Sequence, residues 1–149
     1  MNINSQTQEA IIEQKGNQLS WKTIWNYNTG VIATKVMQEN TCYISTMNRT
    51  EMPSFDALIR VAAQGGNLIT LGRPTRQITF VSGGLVSNLN SYGANTIAMC
   101  SGVPTYQAYE VHGTYNPQTC LALHVLRLVE LRYCNGNGQN VQVQSPQLS

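Results

Sequence analysis

Charge is scarce in this chain. Charged side chains make up 11% of its 149 residues and aromatic ones 7%, so the polar bulk comes from Asn, Gln, Ser and Thr. The acidic stock is one aspartate, Asp56, and six glutamates, beside two histidines, His112 and His124. Catalysis needs a convergent set of titratable groups, and these have other uses. Asp56 suits the first turn of a helix. His124 sits in an apolar strand pattern and reads as a packed or edge histidine. His112 precedes a loop glycine and reads as solvated. Gly65-Gly66 and Gly83-Gly84 lack the GxGxxG or GxxxxGK context of a phosphate loop, and no GxSxG is present. No catalytic residue is assigned, and neither enzyme activity nor a cofactor is expected. A net charge of +2, with its basic residues scattered, argues against a nucleic-acid partner. No apolar run approaches the ~20 residues of a bilayer span, so stable membrane insertion is not expected. The opening MNINSQTQ has neither the basic start nor the apolar stretch of a signal peptide. Together with the low charge, this leads to the expectation of a secreted, extracellular protein in mature form.

Cys42, Cys100, Cys120 and Cys134 form an even set without a CxxC pair, and the histidines are not at zinc-site spacing. No metal site is expected. Two disulfides in an oxidising compartment are the favoured reading, with four buried free thiols as the alternative. Four cysteines allow three pairings, and spacing alone does not choose among them.

The longest β-prone stretch runs from Thr23 to Met47. Asn28-Thr29-Gly30 and Gln38-Glu39-Asn40 break it, which predicts two or three antiparallel strands. Trp21 and Trp25 share a parity and are expected on one packed face. Glu9 to Glu13 reads as a short strand after a loose start. Pro53 and Ser54 open a helix with an expected stripe of Phe55, Leu58, Ile59 and Ala62, stopped by Gly65-Gly66. Gln77 to Val81 is a strand closed by Gly83-Gly84. A second helix begins near Ser87 and carries Leu89, Tyr92, Gly93, Thr96 and Cys100 on one face. Thr105 to Val111 is a strand, and so is the alternating run between Cys120 and Cys134. At this length one domain with one core is expected. The order of elements makes it α+β with a mainly antiparallel sheet. Asn48-Arg49-Thr50 is a sequon, so Asn48 is a candidate glycosylation site.

Several runs recur in a familiar order: WKTIWNY from Trp21 to Tyr27, ATK from Ala33, TCYI from Thr41, Met47-Asn48, MPS from Met52, DAL from Asp56, and CSGVPTY from Cys100 to Tyr106. Together they resemble a BRICHOS domain and, within that superfamily, the gastrokine family, over about Gln18 to Cys134. The resemblance implies a five-stranded, mainly antiparallel sheet with a helix on each face. It implies a division into an N-terminal strand and linker (1–17), a BRICHOS domain (18–134) and a disordered polar tail (135–149). It maps the shared disulfide onto Cys42 and Cys100, leaving Cys120 with Cys134.

For function, the resemblance implies a secreted protein of the gastric mucosa that restrains β-prone or amyloidogenic peptides as a chaperone-like, anti-amyloid binder. The alternative is an epithelial growth-regulating or mucus-structural protein without chaperone activity. Homo-oligomerisation, as a trimer, enters by analogy. The expected working surface is apolar sheet, covered in part by the first helix, Ser54 to Gln64. Three departures qualify this. After Cys134 only Val141, Val143 and Leu148 are sizeable apolar residues, so a client peptide comes in trans. Asn26 stands where the family has an aspartate that serves as a pH switch. No cysteine precedes Cys42, so no disulfide linkage to a trefoil peptide is expected.

Overall fold

The computed structural model describes residues 1–63, 76–112 and 120–134. The expected polar tail and the Gly65-Gly66 helix stop lie outside them. The strands are β1 (Asn2–Asn4), β2 (Glu9–Gln14), β3 (Trp21–Asn26), β4 (Val31–Val36), β5 (Thr41–Thr46), β6 (Arg76–Leu85), β7 (Thr105–Val111), β8 (Cys120–Val125) and β9 (Val129–Cys134). The helices are α1 (Phe55–Ala63) and α2 (Ala94–Cys100), the latter preceded by a short 3-10 turn, Asn90–Tyr92. The described residues form one α+β unit with two helices and a single sheet, ordered β1-β2-β3-β4-β5-β7-β6-β9-β8. Its pairings are antiparallel except β5 with β7 and β6 with β9.

The central meander follows from its residues. β3, β4 and β5 are rich in β-branched and aromatic side chains, which suit a pleated, packed surface. Their reversals use Gly30 (φ 75°) and Asn40 (φ 50°), two residue types that tolerate the left-handed region. Alternate residues then go to opposite faces. Trp21, Trp25 and Ile32 point one way, into a core shared with Phe80 of β6 and Leu123, Val125, Val129 and Leu131 of β8 and β9. Ile24, Ala33, Cys42 and Ile44 point the other way and pack with Met99 and Cys100 of α2.

The first of these faces is concave. β4 and β9 are well separated in the strand order, yet Thr34 Oγ1 lies 2.8 Å from the Tyr133 hydroxyl. The rings of Tyr43 and Tyr133 also stack at 4.8 Å. The sheet is therefore curled until its far strands meet. Leu58 and Val61 of α1 are buried, Leu58 within the concave core, whereas α2 lies on the convex side.

The resemblance implied five strands, and the described residues hold nine. β3, β4, β5, β6 and β7 make up the expected middle of the sheet. On one flank the strand expected at Glu9–Glu13 is present as β2, and the start expected to be loose pairs with it as β1. The other gains β8 and β9. The run between Cys120 and Cys134 does not form one strand. It reverses at Leu126 (φ 56°) and Arg127 (φ 58°), where the Leu128 N–H reaches back to the Val125 carbonyl at 3.0 Å. Neither residue is a turn former by type. The pairing of β8 with β9, closed by the Cys120–Cys134 disulfide, overrides a left-handed penalty of roughly 1–2 kcal/mol per residue.

Three smaller expectations also change. β6 runs through Gly83-Gly84 with a register shift against β7, so those glycines mark a bulge and not an end. The α1 stripe is Phe55, Leu58 and Val61, because the helix meets the core along i, i+3, i+6. Ile59 is 38% exposed, and Ala62 is exposed. The second helix is broken at Gly93, whose φ of 95° and ψ of 159° suit glycine alone.

Candidate functional site

Four places hold the singled-out residues. The first is the joint between the meander and the rest of the sheet. Cys42 on β5 and Cys100 at the end of α2 are joined, with Cα atoms 5.8 Å apart, and the Cys42 N–H donates to the Pro104 carbonyl at 2.9 Å. This bond therefore ties α2 to the sheet where β5 meets β7. Cys120 and Cys134 are also joined, across the open end of the β8–β9 hairpin.

The second place surrounds Asn26. Its side chain is buried and hydrogen-bonded through both the amide oxygen and the amide nitrogen. Oδ1 accepts the N–H groups of Asn28 and Thr29, both at 2.9 Å, which shapes the turn after β3. Nδ2 donates to Glu9 Oε2 at 3.2 Å. Glu9, itself buried, also accepts Asn95 Nδ2 at 3.0 Å and the Thr7 hydroxyl at 3.3 Å. One carboxylate thus links β2, the end of β3 and α2. Nothing in the sequence pointed to Glu9 or Asn95, because a strand-edge glutamate and a helix asparagine are ordinary surface residues by type.

The third place is a buried chain of hydroxyls inside the concave core. Trp25 Nε1 donates to Thr23 Oγ1 at 3.1 Å, Thr23 and Thr34 hydroxyls lie 2.8 Å apart, and Thr34 meets Tyr133. Burial pushes the Tyr133 phenol well above its ordinary range, opposed by its hydrogen bond to Thr34. Burial likewise raises Tyr27, opposed by nearby Arg49, and raises Tyr43, reinforced by Glu39. All three phenols stay neutral donors at physiological pH. The arrangement is a set of structural struts. Tyr27 illustrates this by donating to the Pro53 carbonyl at 2.6 Å and anchoring the entry to α1.

The fourth place is a cleft of about 210 Å³ between the end of β5 and the middle of β7. The β5·β7 ladder registers Cys42 with Thr105, Tyr43 with Tyr106 and Ile44 with Gln107, and then the strands part. Met47 and Asn48 form one wall, and Ala108 and Glu110 face them. Asn48 Nδ2 bridges the gap to both Glu110 carboxylate oxygens, at 3.2 and 3.3 Å. Asn48 Oδ1 accepts the Thr50 hydroxyl at 2.7 Å, so the sequon is a closed local turn. A glycan on Asn48 would replace one of the hydrogens that now meet Glu110.

The histidines lie at separate edges. His112 Nδ1 is 3.7 Å from Glu110, and His124 Nδ1, on edge strand β8, is 3.6 Å from Glu130; both imidazoles are largely exposed. Among the described residues no cluster of three or more His, Cys, Asp or Glu is arranged to hold a metal ion. Among them also, no helix is long and apolar enough to cross a membrane.

Comparison with known proteins gives one consistent result. A BRICHOS domain match spans residues 17–107. It covers β3 to β6, both helices and the start of β7, and leaves the β1–β2 and β8–β9 hairpins outside. Gastrokine-1 of Homo sapiens is 30% identical over 146 residues, which is 94% of this chain and 79% of the human protein. Gastrokine-1 of Sus scrofa is 30% identical over 125 residues, 78% of this chain and 66% of its own. The Mus musculus protein is 27% identical over 138 residues, covering 90% and 75%. No solved structure matches. With a family match across more than half of its length and a relative 30% identical over 94% of it, the chain belongs to the BRICHOS domain family and, within it, to the gastrokines.

Proposed function

We propose that this chain is a secreted, chaperone-like binder that restrains β-prone peptides from aggregating, in a mucosal protective setting. The observation that carries the reading is the light attachment of α1. Of its nine residues only Leu58 and Val61 are buried, while Ile59 stands 38% exposed on the same helix. A helix held by two buried side chains and by the half-buried Phe55, which packs on the Tyr27 ring at 5.4 Å, is a cover that can shift, since each fully buried residue contributes about 1.5–3 kcal/mol. Shifting it uncovers the apolar rim of the concave core for an extended peptide. Such binding uses main-chain hydrogen bonds and loosely matched apolar contacts, and needs no catalytic group.

The test adds the protein substoichiometrically to an aggregating peptide and follows dye fluorescence. A delay that disappears when α1 is locked to β1, the strand it touches, by an engineered disulfide supports the reading. No delay at equimolar ratio points instead to a growth-regulating or mucus-structural role. A delay undiminished in the locked form removes α1 from the mechanism.

A further inference from the structure

The cleft between β5 and β7 has a property its walls alone do not show. Backbone direction alternates along a strand. The Met47 N–H donates to Gly30 next to β4, and the Cys42 N–H donates across to Pro104. Even-numbered residues of β5 therefore turn their main-chain groups towards β7, and past Ile44 the next is Thr46. On β7 the Thr105 carbonyl accepts the Val86 N–H on the β6 side, so Ala108 and Glu110 turn theirs towards β5. The registered pairs stop at Ile44 and Gln107. Two diverging strand edges thus face each other across a gap, each presenting main-chain donors and acceptors. Unpaired strand edges are templates for another strand.

The gap also has a charge preference. Glu110 is only 17% exposed, and its near donor is the neutral amide of Asn48. The imidazole of His112 stands farther off, at 3.7 Å. A carboxylate in partial burial gains most from a full cation. Beside it Tyr109, 59% exposed, lays its ring across Gly83, where an added Cβ would fall 2.4 Å from the ring. Tyr109 follows the alternation of the strand and faces the opposite side of the sheet from Glu110, so the carboxylate is the feature of the gap that selects charge.

We propose that this cleft is where an extended peptide enters the sheet, pairing with the open main-chain groups of β5 and β7 and placing a lysine or arginine side chain on Glu110 in place of Asn48. The inference rests on the peptide-restraining reading and adds to the surface under α1 a second place of contact with its own preference: β-prone segments that carry a basic residue.

The test uses the full chain and two labelled probes, acetyl-Val-Thr-Val-Lys-Val-Thr-amide and the same peptide with Glu for Lys. Their affinities are measured by fluorescence anisotropy. The lysine peptide binds about tenfold more tightly, as a partly desolvated charge pair should. Glu110→Gln erases that preference while leaving the melting temperature near the parent's. Thr46→Pro weakens both probes, because it removes a main-chain donor aimed into the cleft and no bond to β4. Equal binding of both probes to the parent, or an unchanged preference in Glu110→Gln, overturns the proposal. Should Thr46→Pro fail to fold, Glu110→Gln decides alone. The aggregation assay, run on the same variants, separates the two ideas. Full suppression by Thr46→Pro, together with a parent that binds both probes equally, leaves the chaperone reading standing and the cleft excluded. A parent that suppresses nothing removes the chaperone reading, while the lysine preference is still read directly from the anisotropy.

Discussion

The joints β3·β4 and β4·β5 run the full length of their strands, whereas β5·β7 holds three registered pairs and then opens. The first two join neighbours in sequence through tight turns. The third joins residues some sixty positions apart, across α1, β6 and α2. Local hairpins close cheaply, but a long-range parallel pairing must overcome the entropy of a long loop. The protein spends its long-loop disulfide at this joint, where Cys42 and Cys100 hold one end of the short ladder. The lesson is that the disulfide lies at the closed end of a ladder whose other end is free to receive a strand.

The largest break in this contrast is Cys100→Ser. It opens a loop with a sequence separation of 58 and should cost about 4 kcal/mol by the chain-entropy estimate. Cys134→Ser opens a separation of 14 and should cost about 3 kcal/mol. Hydrogen exchange sharpens the comparison. Cys100→Ser should expose amides of β5 and β7 together, whereas Cys134→Ser should loosen only β8 and β9. Uniform loosening in both variants would mean that the joint is not a separate unit.

Next in size is Asn26→Asp. It sets a carboxylate where Nδ2 now donates to Glu9, 3.2 Å away. Two buried carboxylates at that distance titrate as a pair, and like charge and desolvation raise the folded-state values above the unfolded ones near ~4. The cost is therefore absent below the unfolded values and grows as pH rises through the raised ones. Thermal melts should agree between the two forms in acid and diverge towards neutrality by about 1–3 kcal/mol, the penalty for a lost donor to a charged group. Parallel curves would show that position 26 does not act as a switch point.

How much of this was legible in the sequence depends on how local the cause is. The β3–β4–β5 meander was readable because Asn28-Thr29-Gly30 and Gln38-Glu39-Asn40 carry their turn chemistry in the residues themselves, as was the shared face of Trp21 and Trp25. The family resemblance was readable from runs between Trp21 and Tyr106, all of which the BRICHOS match covers. The β8–β9 turn was not, since Leu126 and Arg127 adopt left-handed backbone under tertiary pairing, against their own preference. Nor was the α1 face, where Val61 displaced Ile59 because helix orientation is set by the sheet. The cleft was invisible for a deeper reason. It is a place where pairing ceases between strands distant in sequence, and no residue type marks where a ladder ends.

Smaller effects probe the closed side of the comparison. Tyr133→Phe removes the hydroxyl that links β9 to β4 across the concave core. It should cost about 1 kcal/mol, since Thr34 keeps its bond to Thr23. Denaturant unfolding measures it, and no change would mean that stacking on Phe80 and Tyr43 alone closes the curl. Ser54→Ala removes the side-chain cap that accepts the Ala57 N–H at 3.1 Å at the start of α1. Its cost should also be about 1 kcal/mol, confined to the helix end. If α1 is a movable cover, this variant should suppress aggregation at least as well as the parent despite melting earlier.

The central claim, that the open end of the β5·β7 ladder accepts a strand, is tested most directly by amide exchange at Thr46 and Glu110 with and without the lysine-bearing peptide. The free protein should exchange both amides quickly while Cys42 and Ile44 stay protected, and saturating peptide should protect Thr46, Glu110 or both. Amides already slow in the free protein, or protection that arises elsewhere and leaves these two unchanged, would contradict it.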